Sequence, residues 1–225
     1  MSPATLLIPI TPQTTSLTAP TEEPPLFPIT IDHYHEMIKA GILTATDRVE
    51  LIEGRILAKM PTNPPHHSIL SALSLLLLTR LVNAGIVNDW TARIQMAVTI
   101  PDLDSEPEPD FVLARSAADR YWGSHPHPEN VALLAEVSDS TLAYDRGAKL
   151  RLYAQAGIAV YWIVNVAERA IEVHEQPRGG DAPHYAQTRV YRSGEVAPLV
   201  LPGLDEPVPG IAVDELFPAA NQAHS

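Results

Sequence analysis

The hydrophobic positions change spacing several times along the chain, and each change marks an element. Ile31, Tyr34, Met37 and Ile38 recur at helical spacing behind Thr30, a residue suited to capping, and Gly41 follows the run, which predicts a short helix through Lys39. Val49 to Met60 has a strand-like pattern on either side of Glu53-Gly54, a dipeptide that fits a tight hairpin turn. From Pro65 the helical spacing returns. His66, Ile69, Leu70, Leu73, Leu76, Leu77 and Leu81 line one long helix ending near Asn83 to Gly85, leucine-rich enough to lie against a sheet.

Ile86 to Ile100 has a strand rhythm, and Pro101 to Pro109 is an acidic, proline-studded loop. Asp110 stands at the start of a short apolar strand through Ala114, and Arg115 to Pro128 is a loop with one helical turn. Val131 to Val137 is apolar on both faces except at Glu136, as in a strand buried within a sheet. Asp145 is suited to cap a helix from Arg146 to Ala156, which Gly157 stops before the apolar strand Ile158 to Asn165. That strand–helix–strand order predicts a right-handed crossover between parallel strands. Arg169 to Glu175 and Tyr185 to Leu201 add antiparallel strands around Gly179-Gly180, and Asp214 to Phe217 makes a closing turn. The pattern predicts an α/β (α+β) domain over residues 28–218, a mixed β-sheet flanked by helices. Residues 1–27, rich in Pro and Thr without periodicity, read as a flexible arm, and 219–225 as a disordered tail.

Composition narrows the chemistry. The 225 residues contain no cysteine, which excludes disulfide scaffolds, zinc ribbons, thiol nucleophiles and cysteine-ligated iron–sulfur clusters. Any metal must sit on carboxylates, histidines or carbonyls. Lys+Arg 15 against Asp+Glu 27 gives a net charge of −12, which argues against a general nucleic-acid coat yet leaves room for a local, metal-assisted DNA site. No apolar run reaches the roughly 20 residues of a bilayer span, and the first basic residue is Lys39, so the expectation is a cytoplasmic protein with no membrane partner.

Three positions stand out. Asp110 opens one strand and Glu136 lies in the next, 26 residues later, so adjacent strands would bring the two carboxylates together. Such a pair suits a hard divalent cation, Mg2+ or Mn2+, with water and substrate phosphate completing the shell. Lys149 follows 13 residues after Glu136 on the crossover helix. Its side chain leans toward the helix N-terminus, where an ammonium could orient an attacking water or offset developing charge.

These segments resemble the Uma-two family of the restriction-endonuclease-like, PD-(D/E)XK nuclease superfamily. The matching stretches are Glu50-Leu-Ile-Glu-Gly, His66 opening the leucine helix, Glu108-Pro-Asp-Phe-Val, the run from Glu136 to Lys149, Leu152-Tyr-Ala-Gln-Ala-Gly and Tyr161-Trp-Ile-Val-Asn, together spanning roughly residues 30 to 200. The resemblance implies a restriction-endonuclease-like fold and a metal-dependent endonuclease hydrolysing DNA. Asp110 and Glu136 would be the Mg2+ (or Mn2+) ligands and Lys149 the third catalytic residue. One departure matters: Ser138 stands where many of these nucleases carry the lysine, and Lys149 on the following helix would have to take over that role. Glu50 matches an acid on the first strand, suited to positioning a metal-bound water; Ser138, Asp145 and His66 are supporting candidates. Cutting both strands of a duplex is easiest with two sites, so a twofold homodimer is expected.

Two other functions fit the same chain. One is a catalytically silent nuclease-fold interaction module, favoured by the net charge and the lack of a Lys/Arg cluster. The other is a metal-assisted hydrolase of a small phosphorylated substrate in a closed pocket. A positive trough beside Asp110 would favour DNA, and an acidic flat face the interaction module. Residue by residue, Asp110 also suits a simple turn, Glu136 an ion pair with Arg146 or Arg151, Lys149 a pair with Asp145, and Tyr153, Tyr161 and Trp162 core packing. His66 and His67 lack the second histidine at i+4 that a zinc helix needs.

Overall fold

The computed structural model of the chain describes residues 26–204 and 207–218. The expected tail and all of the expected arm except Leu26 and Phe27 lie outside them. Thr30 accepts a hydrogen bond from the His33 N–H and starts α1 (Ile31–Lys39). β1 (Val49–Ile52) and β2 (Arg55–Ala58) pair antiparallel around Glu53 and Gly54, both with positive φ (46° and 71°). A two-residue turn with that backbone matches the right-handed twist of the flanking strands. The hairpin is tied to the acidic loop through the Leu51 and Glu106 backbones.

α2 (Pro64–Asn83) begins behind Asn63, whose side-chain oxygen accepts from the His66 N–H, with prolines in the first turn where their missing N–H costs nothing. Five strands follow: β3 (Trp90–Ile94), β4 (Phe111–Arg115), β5 (Val131–Ser138), β6 (Val160–Asn165) and β7 (Ala170–Arg178). With β8 (His184–Tyr191) they form one sheet in the order β3-β4-β5-β6-β7-β8. Only β5 and β6 run parallel, as the crossover between them requires. Every residue of β5 is buried.

One sheet face packs Leu133, Ala135 and Val137 against Leu73, Leu77 and Leu81 of α2. The other places Val112, Leu134, Tyr161 and Ile163 beneath the hairpin and the crossover helix, with Ile52, Leu152 and Tyr153. The sequence expectation of a mixed sheet flanked by helices describes this architecture. No helix among the described residues is long and apolar enough to cross a membrane.

Three local expectations are corrected. Ile86 to Ile100 contains only the strand Trp90–Ile94. Gln95 then takes a positive φ of 51°, and the backbone N–H groups of Val98 and Ile100 bond the carbonyls of Pro107 and Ser105, so this stretch folds onto its own acidic loop. Asp145 caps no helix. Helical structure already starts at α3 (Leu142–Tyr144), widens into a π-helical turn over Asp145–Lys149 and continues as α4 (Leu150–Gln155). The Asp145 carboxylate is taken up by the Ser138 and Thr141 hydroxyls, both 2.6 Å away, instead of by free N–H groups. The run read as strand to Leu201 breaks after Tyr191. β9 (Val196–Leu199) leaves the main sheet to pair with β10 (Val208–Ala212), and α5 (Val213–Leu216) forms the closing turn. Gly210 makes this pairing possible, since a Cβ there would lie 2.2 Å from the Ala197 carbonyl oxygen.

Leu77 is fully buried between α2 and the sheet, whereas Leu75 on the same helix is 68% exposed. Leu77→Ala is expected to cost about 2–5 kcal/mol, and Leu75→Ala under about 1 kcal/mol, in urea unfolding at equal m-value.

Candidate active site

Sheet register assembles the site. Phe111 pairs with Ala135, and one step outward Asp110 reaches Glu136 and Val137. The Val137 N–H donates to Asp110 Oδ2 (2.9 Å), and the Asp110 N–H donates to Glu136 Oε2 (3.3 Å). Asp110 therefore sits where β4 begins, held by the end of β5. Three further elements close on this pair. α2 brings His66, whose Nε2 lies 3.0 Å from Asp110 Oδ2; the bend after β3 brings Gln95, whose amide nitrogen is 3.3 Å from Asp110 Oδ1; the π-turn brings Lys149.

Lys149 Nζ donates to Glu136 Oε1 at 2.8 Å and lies 3.7 Å from Glu50 Oε2. Tyr153, one turn along α4, donates its hydroxyl to the same Glu136 oxygen at 2.9 Å. Glu50, on β1, also accepts from the Glu108 N–H and faces the Tyr144 hydroxyl. Glu50, Glu136 and Lys149 are all at least 93% buried. An unpaired charge there would be costly, so the ammonium and the two carboxylates must be read as one unit.

Burial pushes the Glu136 carboxyl up to about 8; Lys149 opposes that rise, while Asp110 and Asp145 add to it. For Lys149, desolvation acts against the charge, but Glu136, Glu50 and Asp145 outweigh it and raise the ammonium above its ordinary value. Burial also opposes ionisation of Asp110, and here the His66, Val137 and Gln95 donors prevail and lower its carboxyl. Asp145 is raised by burial despite Lys149 and its two hydroxyl donors. Burial raises the Tyr153 phenol well above its ordinary value, so it stays protonated and can donate to Glu136.

The seven residues singled out from the sequence fall into two groups. Asp110, Glu136, Lys149, Glu50 and His66 converge. Ser138 and Asp145 bond each other beneath them, and their contribution is to hold the π-turn that carries Lys149. Glu136 pairs with neither Arg146 nor Arg151; Arg146 makes a bidentate pair with Glu172 instead. Tyr153, read from sequence as a core aromatic, is both core and site. Its spacing of four from Lys149, which puts both side chains on one helix face, is the signal that could have identified it. Gln95 left no such signal, because it reaches Asp110 through a positive-φ bend that no spacing rule foresees.

The carboxylates open into a cleft of about 1060 Å³ walled on one side by α1, the hairpin and Tyr144. Its lining includes Glu50, Glu108, Asp110, Glu136, Asp139 and Asp145 against Arg48, Lys59 and Lys149. Lys59 is already paired with Glu108. The surface beside Asp110 is thus neither a positive trough nor a flat acidic face, but an acid-rich concavity. Among the described residues, no three His, Asp or Glu side chains are arranged to enclose a metal ion.

Comparison with known proteins gives the family. A crystal structure of "a putative nuclease belonging to DUF820" from Anabaena variabilis shares the fold, with a TM-score of 0.60 and 17% identity over 84% of this chain and 98% of that one. None of the curated proteins matches significantly. The profile of the Uma2 family, described as "Putative restriction endonuclease", matches residues 31–213, which takes in every strand and helix that builds the site. The chain belongs to the Uma2 family.

Proposed function

We propose that this protein is a metal-dependent endonuclease that hydrolyses DNA phosphodiester bonds, with Asp110 and Glu136 as ligands of Mg2+ or Mn2+ and Lys149 as the charge-stabilising group. The observation that carries the reading is the meeting of two carboxylates from adjacent strands with a buried ammonium bonded to one of them. The donor set fits such a cation. It consists of hard oxygens, and two carboxylates suffice for an ion that keeps several waters and takes substrate phosphate oxygens. Bound there, a divalent cation would supply an activated water and polarise the phosphoryl group.

The chain's own residues do the rest. His66, Val137 and Gln95 keep Asp110 ionised and aimed. Lys149 is held charged, so it acts as a fixed positive group and not as a base. As the water oxygen bonds to phosphorus it gives its proton to solvent, and the bond to the leaving oxygen breaks as that oxygen takes a proton from solvent; the ammonium faces the negative charge that builds between these events. Glu50 anchors Lys149 from the hairpin side. The acid excess of the cleft means that polyanion binding itself depends on the cation. A cleft of this size also suits a small phosphorylated substrate. A twofold dimer would set two such clefts on one duplex.

Plasmid nicking with Mg2+ or Mn2+ tests the reading. Asp110→Ala is expected to abolish cleavage and Lys149→Met to slow it about 10²- to 10³-fold. Hydrolysis of bis(p-nitrophenyl) phosphate without nicking would favour the small-substrate function, and neither activity in the wild type would favour the silent module. Because burial raises the Glu136 carboxyl and makes it harder to ionise, cation binding and ionisation of Glu136 are linked. Calorimetric Mn2+ affinity should therefore rise as the pH is raised above 6, with the protons released on binding becoming fewer over the same range. Light scattering at micromolar concentration should give the mass of a dimer; a monomer mass would remove the two-cleft arrangement.

A further inference from the structure

Each of the two carboxylates is occupied asymmetrically. Asp110 Oδ2 accepts two hydrogen bonds, from the Val137 N–H at 2.9 Å and from His66 Nε2 at 3.0 Å. Among the described residues its Oδ1 has only the side-chain amide of Gln95, at 3.3 Å. Glu136 repeats the pattern. Its Oε1 accepts from Lys149 at 2.8 Å and Tyr153 at 2.9 Å, while among the described residues Oε2 has only the Asp110 N–H at 3.3 Å. A carboxylate oxygen offers about two lone-pair directions, so one oxygen of each group is filled and the other keeps room.

His66 and Tyr153 are built for these bonds and little else polar. The His66 ring is buried at 5% exposure, and its Nδ1 has no hydrogen-bond partner among the described residues, so Asp110 alone fixes the ring's polar side. Nε2 carries hydrogen in this contact, since it meets an ionised carboxylate that can only accept. Tyr153 has no exposed surface, and its hydroxyl points from the aromatic cluster with Tyr161 to Glu136.

We infer that His66 and Tyr153 are positioning residues that occupy Asp110 Oδ2 and Glu136 Oε1 and thereby present Asp110 Oδ1 and Glu136 Oε2 to the cation. The inference rests on the reading of Asp110 and Glu136 as its ligands. Without His66, Asp110 Oδ2 keeps only the Val137 N–H and regains room for a further partner; without the Tyr153 hydroxyl, Glu136 Oε1 keeps only Lys149. Partners of this kind around metal ligands commonly change affinity by about 10- to 100-fold when removed.

Mn2+ titration followed by electron paramagnetic resonance, without DNA, reads this directly in the full-length protein. Tyr153→Phe, which removes one oxygen and keeps the ring, and His66→Leu should each weaken Mn2+ binding by about 10- to 100-fold. His66→Gln, whose amide nitrogen can still donate to Asp110, should recover most of the loss. A merely structural role would lower the melting temperature of the metal-free protein while leaving Mn2+ affinity of the folded fraction alone, and would not separate Gln from Leu. If His66→Leu fails to fold, Tyr153→Phe decides. Wild-type affinity in Tyr153→Phe and in folded His66→Leu, with binding lost in Asp110→Ala, would overturn the inference and leave the metal site standing. A wild type that binds no Mn2+ would overturn the metal site and this inference with it.

Discussion

The contact between Lys149 and Glu136, 2.8 Å long and shut away from water, is the constraint on which the rest of this structure depends. A lone carboxylate in the middle of a buried strand would be untenable, and so would a lone ammonium on the helix above it. Each is tolerated because the other is there. Removing one member of such a pair typically costs about 3–5 kcal/mol by stranding its partner. The demand propagates outward: the π-turn must put Lys149 over β5, Asp145 must be held by Ser138 and Thr141 to form that turn, and Glu50 must come in from the hairpin to share the positive charge. π-turns within helices often mark functional sites, and this one sets the position of the site's cation-bearing side chain.

The same arrangement leaves the carboxylates incompletely satisfied. Three acids, Glu50, Asp110 and Glu136, gather around one ammonium and a histidine, and burial keeps the Glu136 carboxyl unusually hard to ionise. Stability alone would favour fewer charges or an apolar replacement. Perturbed acids facing a cleft are common at functional sites, in keeping with membership in the Uma2 family, whose description is "Putative restriction endonuclease".

Much of this was legible in the sequence because it is governed by short-range rules. Glu53-Gly54 specifies its turn, the leucine spacing specifies the buried side of α2, and the apolar run around Glu136 marks a central strand with an acid that needs a reason. The meeting of Asp110 and Glu136 depends on strand pairing, and the crossover brings Lys149 near them, although no spacing rule foresees the π-turn that carries it. What sequence patterns miss depends on contacts between distant segments. Asp145 looks like a cap because capping is the local use of an aspartate at a helix start, whereas the helix already starts at Leu142 and the Ser138 hydroxyl from β5, with Thr141, takes up the carboxylate. Gln95 reaches the site through a bend at positive φ, and β9 leaves the main sheet because Gly210 allows another strand to come close. The second role of Tyr153 is hidden because packing already explains a buried tyrosine.

The central claim is that Asp110 and Glu136 jointly hold a divalent cation beside the Lys149 ammonium. Anomalous diffraction from crystals soaked in Mn2+ tests it most directly. The account predicts one anomalous peak within coordination distance of a carboxylate oxygen from each residue, with Lys149 still bonded to Glu136. Crystals that show no peak there at saturating Mn2+, or a peak held by other residues, would contradict it.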